Sequence, residues 1–322
     1  MRGRMKDNII TLARLTQRGL KIFLKDRMGV FFALLAPLIV LLLYVLFLGD
    51  IQVDTVKNAF QGFPVDDKLV GNFVDAWMLA GVMSVACITV SFSAQTIMVS
   101  DRENNTLSDM LASPVPRSLV SVGYLVANIA ITLVICLIVE CVAFVYMAAS
   151  GWTLSVGDTF LIVAHTVLSV ISSSTLSTLI CSGIKTASQH GAFVGILSAV
   201  IGFLVGAYMP LSVFPKGVQY ITLFIPGTYS AGVYRNLFMR GALADIEEVF
   251  PAGAAGLRDS FSMDIDFFGT KIGVDTQAWI LCGFVALTFL VWLTVEIVAA
   301  VRRSHRAAET TDNDVESDTF EG

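Results

Sequence analysis

Apolar residues fall along the chain in six long blocks, at about 30–48, 77–99, 119–149, 160–180, 192–208 and 278–301. A helix crossing the hydrocarbon core of a bilayer needs roughly 20 residues, so each block predicts a transmembrane span. The third block is overlong and is expected to begin in the interface. The first imitates a secretion signal, but it is too long and Leu46–Asp50 offers no small-residue cleavage site, so it reads as a retained span.

Polar stretches between the blocks predict the remaining elements. Residues 5–27 form an amphipathic helix in which Arg14, Arg18, Lys21 and Lys25 recur at i, i+4, i+7 and i+11, with Ile9, Leu12, Thr16, Leu20 and Phe23 opposite. Such a helix rests on a membrane surface with its cations toward anionic headgroups. Ser100–Val120 is a polar island between two apolar blocks. Asp101, Arg102 and Glu103 open it, and Asn105–Ala112 predicts a short helix with Leu107, Met110 and Leu111 on one side. Pro114 and Pro116 stop that helix, because each lacks an N–H and restricts the residue before it.

After the fifth block, Met209–Pro226 is apolar but interrupted by Pro210, Pro215, Gly217 and Pro226. Two short helices that enter the outer leaflet and return fit this punctuation, and irregular backbone at that depth requires cover by protein or a cavity. Gly241–Gln277, rich in Gly and Asp, reads as an extracellular loop, so 209–277 is expected to be one re-entrant and extracellular segment. Residues 309–322 hold six acids and no bases, which predicts a disordered tail over 302–322.

Composition agrees. Of 322 residues 55% are hydrophobic and 15% charged, with a mean hydropathy of +0.75, whereas soluble proteins carry about a quarter charged residues. The fold class is an all-α polytopic membrane protein with one transmembrane domain, 1–301. Lys and Arg number 14 in the N-terminus, the alternate loops and the tail against 7 in the other loops, and 8 against 2 around the first span. Both termini are therefore expected in the cytoplasm. The net charge of −5, with acids mostly in external loops and tail, gives no reason to expect nucleic acid as a partner. All five cysteines lie in apolar blocks without metal-ligand spacing and read as small packing residues.

No catalytic constellation appears. Gly183-Ile184-Lys185-Thr186 lacks a phosphate-cradling glycine loop, HExxH and GxSxG are absent, and His165, His190 and His305 are scattered. No directly bound cofactor or metal is expected. Glu140, His165 and Glu296 lie in apolar blocks, where a charge is expensive and functional by default. Glu296 sits near Arg302 and Arg303 and reads as an interfacial anchor. Glu140 and His165 occupy the outer parts of two antiparallel neighbours, where they could meet as a structural hydrogen bond or as a proton relay. The fourth block is rich in Ser and Thr, from Ser169 to Thr178, which suits helix packing or a polar path. Gly191/Gly195 and Gly202/Gly206 have the spacing of close helix packing. Met78, Met83, Phe92 and Met98 of the second block are adaptable apolar groups suited to core contact or to varied ligands.

The segment DRENNTLSDMLASPVPR resembles the signature of ABC-2 type permeases of ABC transporters, with matches at Arg102, Glu103, Thr106, Leu107, Leu111, Ser113, Pro114 and Val115. Met209-Pro210-Leu211-Ser212, Pro215 and Pro226-Gly227-Thr228-Tyr229, ending near Arg235, resemble the same family's pattern after its fifth span. The resemblance covers about residues 10–300. Two departures stand out. Asn105 occupies a position where the family often has Gly, although Asn tolerates the left-handed conformation. Ile225-Pro226-Gly227-Thr228-Tyr229 replaces the commoner Asn-Pro-Leu-Thr-Tyr, which leaves the subgroup and substrate open.

The resemblance implies a permease in the plasma membrane that forms a homodimer or heterodimer and recruits separate nucleotide-binding subunits carrying ATP and Mg. The helix in Ser100–Arg117 would couple to the ATPase through Arg102, Glu103, Thr106, Leu107, Leu111, Ser113 and Pro114. Arg14, Arg18, Lys21 and Lys25 would belong to a flanking interface helix in contact with membrane lipid. Pro210, Pro215, Pro226, Thr228 and Tyr229 would shape an external gate, and Met83, Phe92, Gly202 and Gly206 a substrate path. The implied function is export of an amphipathic or lipid-like compound by alternating access. Polysaccharide or peptide export remains an alternative within the family, and proton-coupled transport through Glu140 and His165 one outside it.

Overall fold

The computed structural model describes residues 2–59, 66–113 and 115–320, with side chains described for these except 2–6, 45, 47, 59, 252 and 299–320. Helix α1 (Arg2–Lys25) ends where the Asp26 carboxylate accepts a hydrogen bond from the Gly29 N–H and so caps α2 (Arg27–Leu43). The two meet at 79°. A π-helical turn (Tyr44–Leu48) and α3 (Gly49–Ala59) continue from α2. Next come α4 (Asp67–Ala94), α5 (Thr96–Glu103), α6 (Thr106–Ala112), α7 (Arg117–Ser150), α8 (Val156–Cys181) and α9 (Ala187–Leu204). A 3-10 turn (Leu211–Val213) leads to α10 (Lys216–Thr222), α11 (Pro226–Phe238), α12 (Arg240–Val249) and α13 (Pro251–Ser260). Strands β1 (Ile265–Phe267) and β2 (Thr270–Ile272) form an antiparallel hairpin before α14 (Val274–Phe320).

Among the described residues five helices are long and apolar enough to cross a membrane, or six when the bent pair Asp7–Lys25 and Arg27–Leu43 is counted as one span. The chain is a multi-pass, helical membrane protein. The second span differs from the expected 77–99: Asp66 caps α4 ten residues earlier through the Lys68 N–H, and the helix bends at Gln95 into α5. Gly241–Gln277, expected as loop, instead folds into α12, α13 and the hairpin. They cohere because Ile246, Leu257 and Phe261 are buried, with the Phe261 ring edge-on to Phe73 and Trp77 at 5.1 and 5.7 Å. The acidic segment 302–322, expected as a disordered tail, lies outside the residues whose side chains are described.

Helix α4 is the centre of the bundle. It packs against α2, α7, α8, α9 and α11, and nearly all its side chains from Phe73 to Phe92 are buried. Small residues such as Ala76, Ala80, Gly81 and Ser84 admit these neighbours closely; a Cβ on Gly81 would stand 3.0 Å from the Ala207 Cα. The outward faces of α7, α9 and α14 carry exposed apolar side chains such as Val145, Ile196 and Leu290, as lipid contact requires.

The polar side chains of α8 face inward, and several are hydrogen-bonded across helices, whereas the buried Ser174 hydroxyl has no partner among the described residues. Gln95 Nε2 donates to Thr178 Oγ1 at 2.6 Å, and Asn128 Nδ2 to Ser177 Oγ at 2.9 Å. The Thr166 and Tyr234 hydroxyls lie 2.8 Å apart. This Ser/Thr face is glue between helices.

Candidate functional site

The polar island expected from the sequence forms at the α5–α6 end of the bundle. Asn105, at φ 61°, supplies the left-handed residue that turns the chain from α5 into α6. Its three opening charges fan out to four different elements. The Asp101 carboxylate accepts two 2.7 Å hydrogen bonds from the Arg18 guanidinium of α1, and a third of 2.7 Å from the Tyr124 hydroxyl of α7. Arg102 donates to the Ser182 carbonyl at 2.9 Å and to the Ile184 carbonyl, covering the last turn of α8. Glu103 accepts from the Ala187 N–H at 2.7 Å, at the first turn of α9.

The expected coupling residues thus divide. Arg102 and Glu103 are spent on contacts within the chain. Thr106, Leu107, Met110 and Leu111 are half-buried, whereas Ser108, Asp109 and Ala112 form the outward face of α6. Ser113 bonds back to the Met110 carbonyl at 2.5 Å, ending the helix, and Pro114 lies outside the described residues. Sequence reasoning named the motif residues and missed Ser108 and Asp109, which carry the free surface. On α1, only Arg18 of the four stripe cations is bound in an ion pair among the described residues; Arg14, Lys21 and Lys25 share its groove.

At the opposite end, each residue of the second motif has a local task. Pro210 precedes the 3-10 turn, Pro215 precedes α10, and Pro226 opens α11 at its first turn. The Thr228 and Tyr229 hydroxyls donate to the Thr222 and Leu223 carbonyls, both at 2.8 Å, and so anchor α10 onto α11. Buried Arg235 donates to the Val205 and Gly206 carbonyls at 2.5 and 2.8 Å, tying α11 to the end of α9. Outside the bundle, Lys216 pairs with Asp266, holding the Asp266 carboxyl below its usual range, with the Gly269 N–H adding to the effect.

Met83 and Phe92 are buried in the α4 core. Gly202 and Gly206 do not form the expected helix-packing surface: the Ala207 N–H returns to the Gly202 carbonyl at 2.7 Å, and Gly206 sits at φ +72° beside Arg235. They are needed for a tight chain reversal. At Gly191 and Gly195 a Cβ would meet nothing within 4 Å among the described residues.

Glu140 and His165 do not bond to each other. His165 Nε2 lies 3.1 Å from the Ser230 carbonyl and 3.2 Å from the Ser169 hydroxyl, while both Glu140 carboxylate oxygens are buried without a hydrogen-bond partner among the described residues. Sequence reasoning also missed Asp75, which accepts from the Tyr44 hydroxyl at 2.7 Å and the Tyr146 hydroxyl at 3.3 Å, joining the π-helical turn after α2 to α4 and α7. The signal was an acid just ahead of an apolar block.

A comparison with protein-family models matches residues 11–239 to the ABC-2 type transporter model. No curated protein matches the chain.

Proposed function

Because this chain belongs to the ABC-2 type transporter family, whose membrane domain is a permease without an ATPase domain, we propose that it forms the membrane half of an ATP-driven exporter. ATP and Mg would sit on separate nucleotide-binding subunits, and the permease would pair with a second copy, identical or related. Domain 1–301 would lie in the plasma membrane with both termini in the cytoplasm, as the Lys and Arg distribution supports.

The observation that carries this reading is the fan of Asp101, Arg102 and Glu103. A short helix rooted by these residues to α1, α7, α8 and α9 moves those four elements when it is pushed. In this reading α6 is the coupling helix, and Ser108 and Asp109 meet the ATPase. Arg14, Lys21 and Lys25 of α1 rest on the headgroups while Arg18 ties α1 to the coupling loop. The helices around Pro210, Pro215 and Pro226 form the external gate, braced by Thr228 and Tyr229. Met83 and Phe92 lie on α4, Gly202 on α9 and Gly206 in the reversal after it, and this reversal closes on α4 where Ala207 meets Gly81, so a path there opens only when the two part.

Transport is alternating access, with ATP acting through its differential affinity for the two states. An amphipathic or lipid-like substrate suits the apolar core, and polysaccharide or peptide export remains the alternative within the family. The proton-coupled alternative has less support, because Glu140 and His165 share no hydrogen bond.

The test is affinity purification from the native host in mild detergent. An ATPase is expected to co-purify with the wild type and to be lost with Ser108→Arg and Asp109→Arg, which keep the internal contacts. A chain that purifies alone under these conditions overturns the reading.

A further inference from the structure

A cavity of about 400 Å³ opens where the coupling loop, the start of α7, the α8–α9 turn and α14 come together. Its polar side carries Arg117, Ser121 and Lys185, and its apolar side Leu107, Trp292 and Val295. Arg102 also borders it, but its guanidinium is spent on the carbonyls at the end of α8. Arg117 and Lys185 are exposed and have no ion-pair partner among the described residues. Among the described residues Glu296 is the only acid on the wall, against three cations, Arg102, Arg117 and Lys185. The volume exceeds what a few waters need and falls in the range of small-molecule sites.

We propose that this cavity binds the headgroup phosphate of an anionic phospholipid. Arg117 and Lys185 would hold the phosphate oxygens by charge-assisted hydrogen bonds. The amino end of the 34-residue helix α7 starts at Arg117 without a side-chain cap, so its partial positive charge adds to the field. The apolar wall points to a lipid as the carrier of that phosphate. Val295 is continuous with Val291 and Val298, which lie one turn before and after it on the same face of α14 and are both exposed, and this gives an acyl chain a path out of the cavity. Trp292 is already buried in the wall, but a soluble phosphate would leave the exposed Val295 uncovered.

The site adds a regulator to the coupling loop. A headgroup seated beside Leu107 braces α6 from within the bundle, on the side away from Ser108 and Asp109. The inference rests on the chain being a multi-pass membrane protein, and is independent of whether an ATPase binds α6.

The test uses the full chain in mild detergent, without any ATPase, and counts bound lipid by native mass spectrometry while phosphatidylglycerol or phosphatidylcholine is titrated. Wild type is expected to retain one phosphatidylglycerol in preference to phosphatidylcholine. The double variant Arg117→Gln/Lys185→Gln should bind it at least about tenfold more weakly, and millimolar inorganic phosphate should not displace it. Glu296→Gln, which removes the opposing charge, should bind it more tightly, and this variant carries the test if the double variant fails to fold. Equal retention by wild type and the double variant, equal retention of the two lipids, or unchanged binding in Glu296→Gln overturns the site. Displacement by inorganic phosphate overturns the lipid as its occupant.

Discussion

Arg18 of α1 and Asp101 of α5 stand 83 residues apart in sequence and meet through two parallel 2.7 Å hydrogen bonds, with Tyr124 completing the cluster. A bidentate pair fixes orientation as well as distance, so α1 cannot slide along the bundle without moving α5 and the turn into α6. Asp101 is well buried and Arg18 about one-third exposed. Arg18→Ala and Asp101→Asn should each lower transport per ATP hydrolysed. A double-mutant cycle on unfolding should give a coupling of about 1–2 kcal/mol. Strictly additive single effects would refute the link.

Asn105 holds a left-handed conformation at φ 61°. Asn105→Gly should therefore be neutral or slightly stabilising, while Asn105→Val should cost about 1–2 kcal/mol and misplace α6. Limited proteolysis of the 100–117 loop reads the difference. Equal protection of the two variants would show that the turn does not depend on this residue.

Glu140 is buried with neither oxygen bonded among the described residues. An unpartnered buried polar group costs about 1–3 kcal/mol, so Glu140→Leu should raise the melting temperature by a few degrees. ATP-driven transport should survive in Glu140→Gln. Loss of transport in Glu140→Gln, with ATPase binding intact, would restore the proton-coupled mechanism.

The pH response of the β1–β2 hairpin follows from Asp266. Its carboxyl is held below the ordinary value of 3.8, first by Lys216 and then by the Gly269 N–H. A lowered folded-state value stabilises the fold above the unfolded value and is lost as pH falls through the folded one. Lys216 is shifted upward by the same pair, so its contribution is present at neutral pH and fades only above the ordinary lysine range of 10.5. Hydrogen exchange at the hairpin amides should stay level through neutral pH and rise only below about 3.8, after correction for intrinsic rates. Asp266→Asn should remove that acid step. An unchanged step in the variant would refute the assignment.

What the sequence revealed was local chemistry. The prolines, Asn105 and the apolar blocks act on their own neighbours, so the short helices, the turn and most spans were readable. The partners of Asp101, Arg102 and Glu103 were not, because Tyr124 lies 23 residues away and the others 80 to 84, and nothing in the motif names the other side. The small helices α12 and α13 were hidden by their glycines, and burial of Ile246, Leu257 and Phe261, the last against Phe73 and Trp77, accounts for their order. Gly202 and Gly206 had the spacing of a helix contact, yet their use is a chain reversal set by Tyr208 and Arg235. The pairing imagined for Glu140 and His165 failed because Ser169 and Ser230 satisfy the histidine first.

The enclosure of α4 sets an order for biosynthesis. This helix leaves the ribosome before α7, α8 and α11, the neighbours that cover it, have been made. Ser84, Thr89, Ser91 and Gln95, buried in the finished bundle, must wait in lipid or against an insertion factor until roughly 140 further residues, as far as α11, have been added. The second span thus enters the membrane early and gains its full set of neighbours late, and faults in α11 should surface as a newborn α4 marked for destruction.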